Sequence, residues 1–132
     1  MHIGQLAKQA GVPIDTVRYY ERNGLLPEPP RRESGYRDYA RGDVERLRFV
    51  RRAKGLGFTL AEIRELLSLS AHRDQDMAAM KSAATAKLAD VEHRIAELTR
   101  MRAGLQALVA ACPGHGELEA CPILGALSGE GA

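Results

Sequence analysis

"IGQLAKQAGVPIDTVRYYERNGLL", residues 3–26, is the stretch whose reading decides the fold. Ile3, Leu6 and Ala7 fall on one helical face, and Gly11 breaks the run. Val12 and Pro13 lead into a second short helix. Asp15 stands near its start, Val17, Tyr20 and Leu25 form its apolar side, and Gly24 ends it. Two short helices joined by a tight glycine-containing turn predict a helix-turn-helix, whose second helix enters the DNA major groove. That helix would present Thr16, Arg18 and Tyr19. Arginine pairs with a guanine edge or a phosphate, and a tyrosine hydroxyl is a phosphate donor. Taken alone, the stretch also suits any small helical hairpin.

The adjoining proline-rich segment narrows the reading. In "PEPPRRESGYRDYARGDVERL", residues 27–47, Pro27, Pro29 and Pro30 stop the helix. Arg31, Arg32 and Arg37 flank a turn centred on residues 33–35, and the alternation of "YRDY" (36–39) predicts a short strand. A small basic hairpin placed there is a wing for backbone phosphates; the alternative is a solvated loop. A third helix is predicted from Gly42 to Lys54, with Val44, Leu47, Phe49 and Val50 apolar and Gly55 and Gly57 closing it. A fourth begins at Thr59, whose hydroxyl and Glu62 three residues on form a capping box; Leu60, Ile63, Leu66 and Leu67 make its inner face.

Residues 71–76 form a polar hinge, and one long helix is predicted over about 76–111. Its apolar positions, 77, 80, 84, 88, 91, 95, 98, 101, 105 and 108, advance in threes and fours, close to a heptad seam. A 70-residue head is too small to bury that stripe, so pairing with a second copy as a homodimer is the economical solution. The alternative is a helix folded back over its own head.

Charge divides the same way. Residues 1–74 carry 14 Lys/Arg against 10 Asp/Glu, and residues 75–132 carry 5 against 7. A basic front half points to a polyanionic partner. No apolar run reaches the length of about 18 residues that spans a bilayer, and "MHIGQLAKQAG" lacks a signal peptide's apolar core, so a cytoplasmic protein without a membrane partner is expected. No nucleophile–base set, P-loop or dinucleotide motif appears, which argues against an enzyme.

Both cysteines sit in "CPGHGELEACPIL", residues 112–124. Cys112 lies one step of four past Leu108, Pro113 and Gly114 break the helix, and eight residues separate Cys112 from Cys121. Two thiolates in such a loop hold Cu(I), Ag(I) or Au(I) without a further protein ligand. Zn(II) wants four ligands, to which His115, Glu117 or Glu119 would contribute, whereas Hg(II) is content with thiolates. The pair could instead form a reversible disulfide and sense oxidation.

With these residues in view, the chain resembles the MerR family of transcriptional regulators. "TVRYYERNGLL", "SGYRDY", "LGFTLAEIRELL" and "ACPGHGELEACPIL" carry the resemblance, which spans the chain and is strongest in the first 70 residues. It is nearest to the metal-sensing branch, in particular the copper-efflux regulator type. The implied fold is mainly α: a winged helix-turn-helix DNA-binding domain over 1–70, a hinge and dimerisation helix over 71–111, and a metal-binding loop and tail over 112–132. The implied mechanism is a dimer on a palindromic promoter whose elements lie unusually far apart. The apo form represses; metal binding makes the dimer bend and untwist the DNA so that RNA polymerase engages. Resemblance makes Thr16, Arg18, Tyr19, Tyr20, Arg31, Tyr36, Arg37 and Lys54 the DNA contacts, with Lys54 standing where relatives often have arginine. It makes Cys112 and Cys121 the metal ligands. Divalent sensors usually draw a third cysteine from the partner's dimer helix, and monovalent sensors have serine there; this chain has Met77, a soft thioether neither class predicts, and the missing cysteine argues for Cu(I), Ag(I) or Au(I). The eight-residue spacing is closer to the divalent type, which keeps Zn(II), Cd(II), Pb(II) and Hg(II) in play.

Overall fold

The computed structural model describes residues 1–27, 29, 37–74 and 77–129. Among them the order is α1 (Ile3–Ala10), α2 (Ile14–Arg22), α3 (Arg41–Gly55), α4 (Leu60–Ala71), α5 (Ala78–Ala111), a 3-10 turn (Leu118–Ala120) and α6 (Pro122–Ser128). The chain forms two compact units, Met1–Lys87 and Leu88–Ala132.

In the first unit, the turn between α1 and α2 is set by Gly11, which adopts φ 74°. That left-handed geometry lets Val12 N–H reach the Ala7 carbonyl at 3.0 Å and caps α1. Gly24 repeats the device with φ 75°, so that Leu25 N–H reaches the Tyr20 carbonyl at 2.9 Å. Leu6, Val17, Leu25, Leu26, Leu47, Val50 and Ile63 are fully buried and join α1, α2, α3 and α4 in one core. Each such side chain contributes on the order of 1.5–3 kcal/mol by leaving water. Phe49 and Leu60, predicted as inner positions, lie at the edge of this core and are only partly buried.

Among the described residues of "YRDY", 37–39, no continuous strand is present. Arg37 makes an isolated bridge, residues 38–40 are irregular, and Tyr36 lies outside the described residues, as does the turn at 33–35. Tyr39 is held instead from both ends: its N–H donates to the Met1 carbonyl at 2.9 Å and its hydroxyl to Glu21 Oε2 at 2.8 Å.

Thr59 caps α4 as predicted. Its hydroxyl accepts from Glu62 N–H at 3.2 Å, and Glu62 Oε1 accepts from Thr59 N–H at 2.8 Å. The same carboxylate oxygen meets Lys87 Nζ at 2.8 Å, and the ammonium also lies 5.7 Å from the centre of the Phe58 ring. Lys87 is 7% exposed, the sole buried charged residue among those described. Met80 and Ala83 pack on the core beside it. The first turns of α5 are thus part of the head, which splits the predicted seam. Met80 faces the core, Met77 is 82% exposed, and from Leu88 onward the stripe is open: Leu88, Ile95, Leu98, Met101 and Leu105 are all exposed.

The hydrogen bond from Lys87, with help from the Thr59 backbone, lowers the Glu62 carboxyl from its ordinary value to about 2. A depressed carboxyl stabilises the fold above its unfolded value and loses that contribution as pH falls toward 2. Glu62→Gln is therefore expected to lower unfolding stability at pH 7 by about 1–2 kcal/mol. Urea titrations should show the gap between variant and parent closing as pH drops from about 4.5 to about 2.

Candidate nucleic-acid interface and thiol site

On α2 the side chains separate by helical period. Val17 and Tyr20 turn into the core, Arg18 and Tyr19 face solvent, and Thr16 is half-buried. Tyr20 is 7% exposed, and burial raises its hydroxyl pKa, with the neighbouring Tyr19 adding to the effect. Its ring lies 5.8 Å from that of Tyr19. The structure thus places Tyr20 on the packing side of α2, apart from the exposed pair. Lys54 is exposed in the last turn of α3. Arg31 and Tyr36 lie outside the described residues.

Arg37 is brought to α2 by an ion pair with Glu21, which is largely buried. Glu21 shares its other oxygen with the Tyr39 hydroxyl, whose pKa burial raises. One carboxylate of the recognition helix therefore fixes the start of the segment leading to α3.

The far end of α2 is fixed by two more side chains that sequence reasoning missed. Arg46 of α3 donates from Nε to the Leu25 carbonyl at 2.7 Å. Arg64 of α4 donates from Nε to the Asn23 carbonyl at 3.1 Å, and its Nη2 shares that oxygen. A long cation satisfying helix-terminal carbonyls is favourable at the negative end of the helix dipole. Glu21, Arg46 and Arg64 carry no local signal, because each acts across at least sixteen positions of sequence.

In the second unit, α5 runs to Ala111, and Cys112 N–H still bonds the Leu108 carbonyl at 3.2 Å. Gly114 and Gly116 take φ 81° and 104°, and the 3-10 turn carries the chain back to Cys121. Cys121 is the N-cap of α6, with Pro122 at the first helical position. Both cysteines are half-buried free thiols. The Cys121 thiol is held below its ordinary pKa, first by the Leu124 N–H, then by the Ile123 N–H and the Cys112 thiol, with desolvation opposing. A lowered thiol pKa favours the thiolate form that metal ions bind. That donor set suits a soft, thiophilic ion.

The exposed His115 ring turns its Nδ1 to the Pro113 carbonyl at 3.2 Å, and Met77 belongs to the first unit. Among the described residues no group of three or more His, Cys, Asp or Glu is placed to hold a metal ion. Nor is any helix among them long and apolar enough to cross a membrane.

A helix-turn-helix with an exposed arginine–tyrosine pair, followed by a two-thiol loop, defines the class of DNA-binding transcription regulators rather than enzymes. Comparison with known proteins carries this further. The family model described as "MerR HTH family regulatory protein" matches residues 1–70, and one described as "MerR, DNA binding" matches 44–108. The chain is 44% identical over 128 residues to the HTH-type transcriptional regulator HmrR of Rhizobium leguminosarum bv. viciae, covering 97% of this chain and 98% of that one. It is 41% identical over 122 residues to the mercuric resistance operon regulatory protein of Bacillus cereus, covering 92% of each. The crystal structure of the regulator PbrR691 from Ralstonia metallidurans CH34, in complex with lead(II), superposes with a TM-score of 0.86 at 36% identity, over 96% of this chain and 98% of that one. The chain belongs to the MerR family of helix-turn-helix regulators and, within it, is a metal-responsive transcription regulator.

Arg64→Ala frees the end of α2 without removing a phosphate contact. Operator affinity is expected to fall about threefold to tenfold, while the slope of affinity against salt stays unchanged. Fluorescence anisotropy across a salt series checks both.

Proposed function

We propose that this chain binds a palindromic promoter as a homodimer and activates metal-resistance or efflux genes when a thiophilic ion joins Cys112 and Cys121. The observation that carries the reading is the loop that returns the chain from Cys112, just past the end of α5, to Cys121 at the start of α6, leaving both as free, half-buried thiols. The first unit would be the DNA-binding end, through Arg18, Tyr19, Thr16 and Lys54, with Arg31, Tyr36 and Arg37 along the wing. Tyr20 would support that face from the core. The exposed stripe from Leu88 to Val109 supports a dimer, because a monomer leaves those side chains in water.

The inducer we assign is Cu(I), with Ag(I) and Au(I) as equivalents. Two thiols in one short loop suit a low-coordinate monovalent ion, and the chain has Met77 rather than a third cysteine at the start of the long helix. Cys112 and Cys121 would hold it, and the ion would supply a link between the end of α5 and the start of α6. Closing that link would favour one of two dimer arrangements, and the DNA deformation it drives would realign the promoter for RNA polymerase. A second reading, a divalent sensor, is favoured by relatives named for mercury and crystallised with lead(II). In that case Pb(II), Hg(II), Cd(II) or Zn(II) would take a further donor.

Cys112→Ser and Cys121→Ser are each expected to abolish metal induction in a promoter-reporter assay while leaving operator affinity of the apo protein unchanged. Loss of DNA binding in either variant would overturn the separation of the two sites. Titrating the reduced protein with Cu(I) and with Zn(II) against competing chelators should give tight, cysteine-dependent binding of Cu(I) alone. Arg18→Ala should weaken operator binding by about tenfold or more.

A further inference from the structure

A second basic surface lies on the first unit, outside the residues assigned above. Gln9, Ala10 and Gly11 at the end of α1, with Arg48, Arg51 and Arg52 of α3, line an open cleft of about 520 Å³. Arg48 uses Nη2 to cap α1 at the Gln9 carbonyl, 2.9 Å away. Arg51 lies across Gly11, so closely that a Cβ there would stand 2.7 Å from Arg51 Nη1. Gly11, already required by its φ of 74°, thus also leaves room for the guanidinium. None of the three arginines makes an ion pair with a carboxylate among the described residues.

Three like charges on adjacent turns repel one another unless an anion is shared between them. Position in the fold says which anion. Gly11 leads within three residues to the first residue of α2, Ile14. When a helix-turn-helix docks, its first helix crosses the sugar-phosphate backbone while the start of the second reads base edges. In a docked complex the cleft at that junction would face the strand bordering the groove.

We propose that Arg48, Arg51 and Arg52 form a phosphate-binding cleft for the backbone of promoter DNA, with Arg51 and Arg52 supplying the free donors and Gly11 the clearance. The cleft rests on the DNA-binding reading and deepens it. It grips without reading sequence, so it strengthens specific and non-specific binding alike.

The test uses the full-length double variant Arg51→Ala/Arg52→Ala, binding an operator duplex and a scrambled duplex across a salt series. Both affinities are expected to fall by the same factor, about tenfold or more, and the log–log salt slope to become shallower by about 0.9 for each phosphate the variant leaves unneutralised. Arg51→Lys/Arg52→Lys should recover the slope, and a thermal melt matching the parent's keeps a misfolded variant from passing as support. Unchanged affinity and slope on both duplexes would overturn the cleft, as would a weakening confined to the operator, which would mean base readout. If the melt of the parent, but not the variant, rises with inorganic phosphate at matched ionic strength while DNA binding is unaffected, the cleft serves a free anion and the assignment fails. Failure of the parent to bind the operator at all would instead remove the proposed function.

Discussion

The ion pair between Lys87 and Glu62 is the contact on which the joining of α5 to the DNA-binding head depends. A buried ammonium is costly unless it is paired, and here one carboxylate oxygen serves it and the cap of α4 together. The ring of Phe58 covers another side of the charge. Whatever the first turns of α5 do is therefore felt at the start of α4, and α4 in turn holds the recognition helix through Arg64 and Asn23. A continuous chain of named contacts runs from the long helix to α2.

Those contacts also explain how much of the fold is legible in the sequence. Helix periods, Gly11, Gly24 and the Thr59–Glu62 cap are local signals, and each produces the element it predicts. The thiol loop is legible as a place, because Pro113 and Gly114 end the long helix just past Cys112, while the sequence leaves its chemistry open among soft monovalent ions, divalent ions and a disulfide. Lys87 reads as a solvated charge on the seam's far side, since nothing in its own neighbourhood reveals a carboxylate 25 positions away. Arg46, Arg48 and Arg64 likewise look like generic surface cations. Their bonds to the Leu25, Gln9 and Asn23 carbonyls depend on tertiary packing that no helical period encodes. Tyr39 is likewise beyond local reading: it is buried by bonds to Met1 and Glu21, which belong to other segments.

The recognition helix and the thiol loop solve different problems with related chemistry. At the recognition helix, carbonyls at a helix end are satisfied by arginines. At the thiol loop, amides at a helix start are turned toward a sulfur, which favours the anionic form that soft ions bind. The first arrangement fixes a helix firmly in place. The second leaves a reactive pair in a largely exposed loop, where an incoming ion meets little obstruction.

Beyond the head the burial pattern changes character. Among the described residues from 88 to 129, none is buried. In the homodimer proposed above, the partner copy would cover that stripe, and pairing would follow mass action. Two copies on adjacent half-sites would be effectively concentrated far beyond their free level. The duplex would then do more than receive the regulator: by crowding its protomers together it would help assemble the receptor that later governs it, and scarce, unmoored chains would be poor detectors.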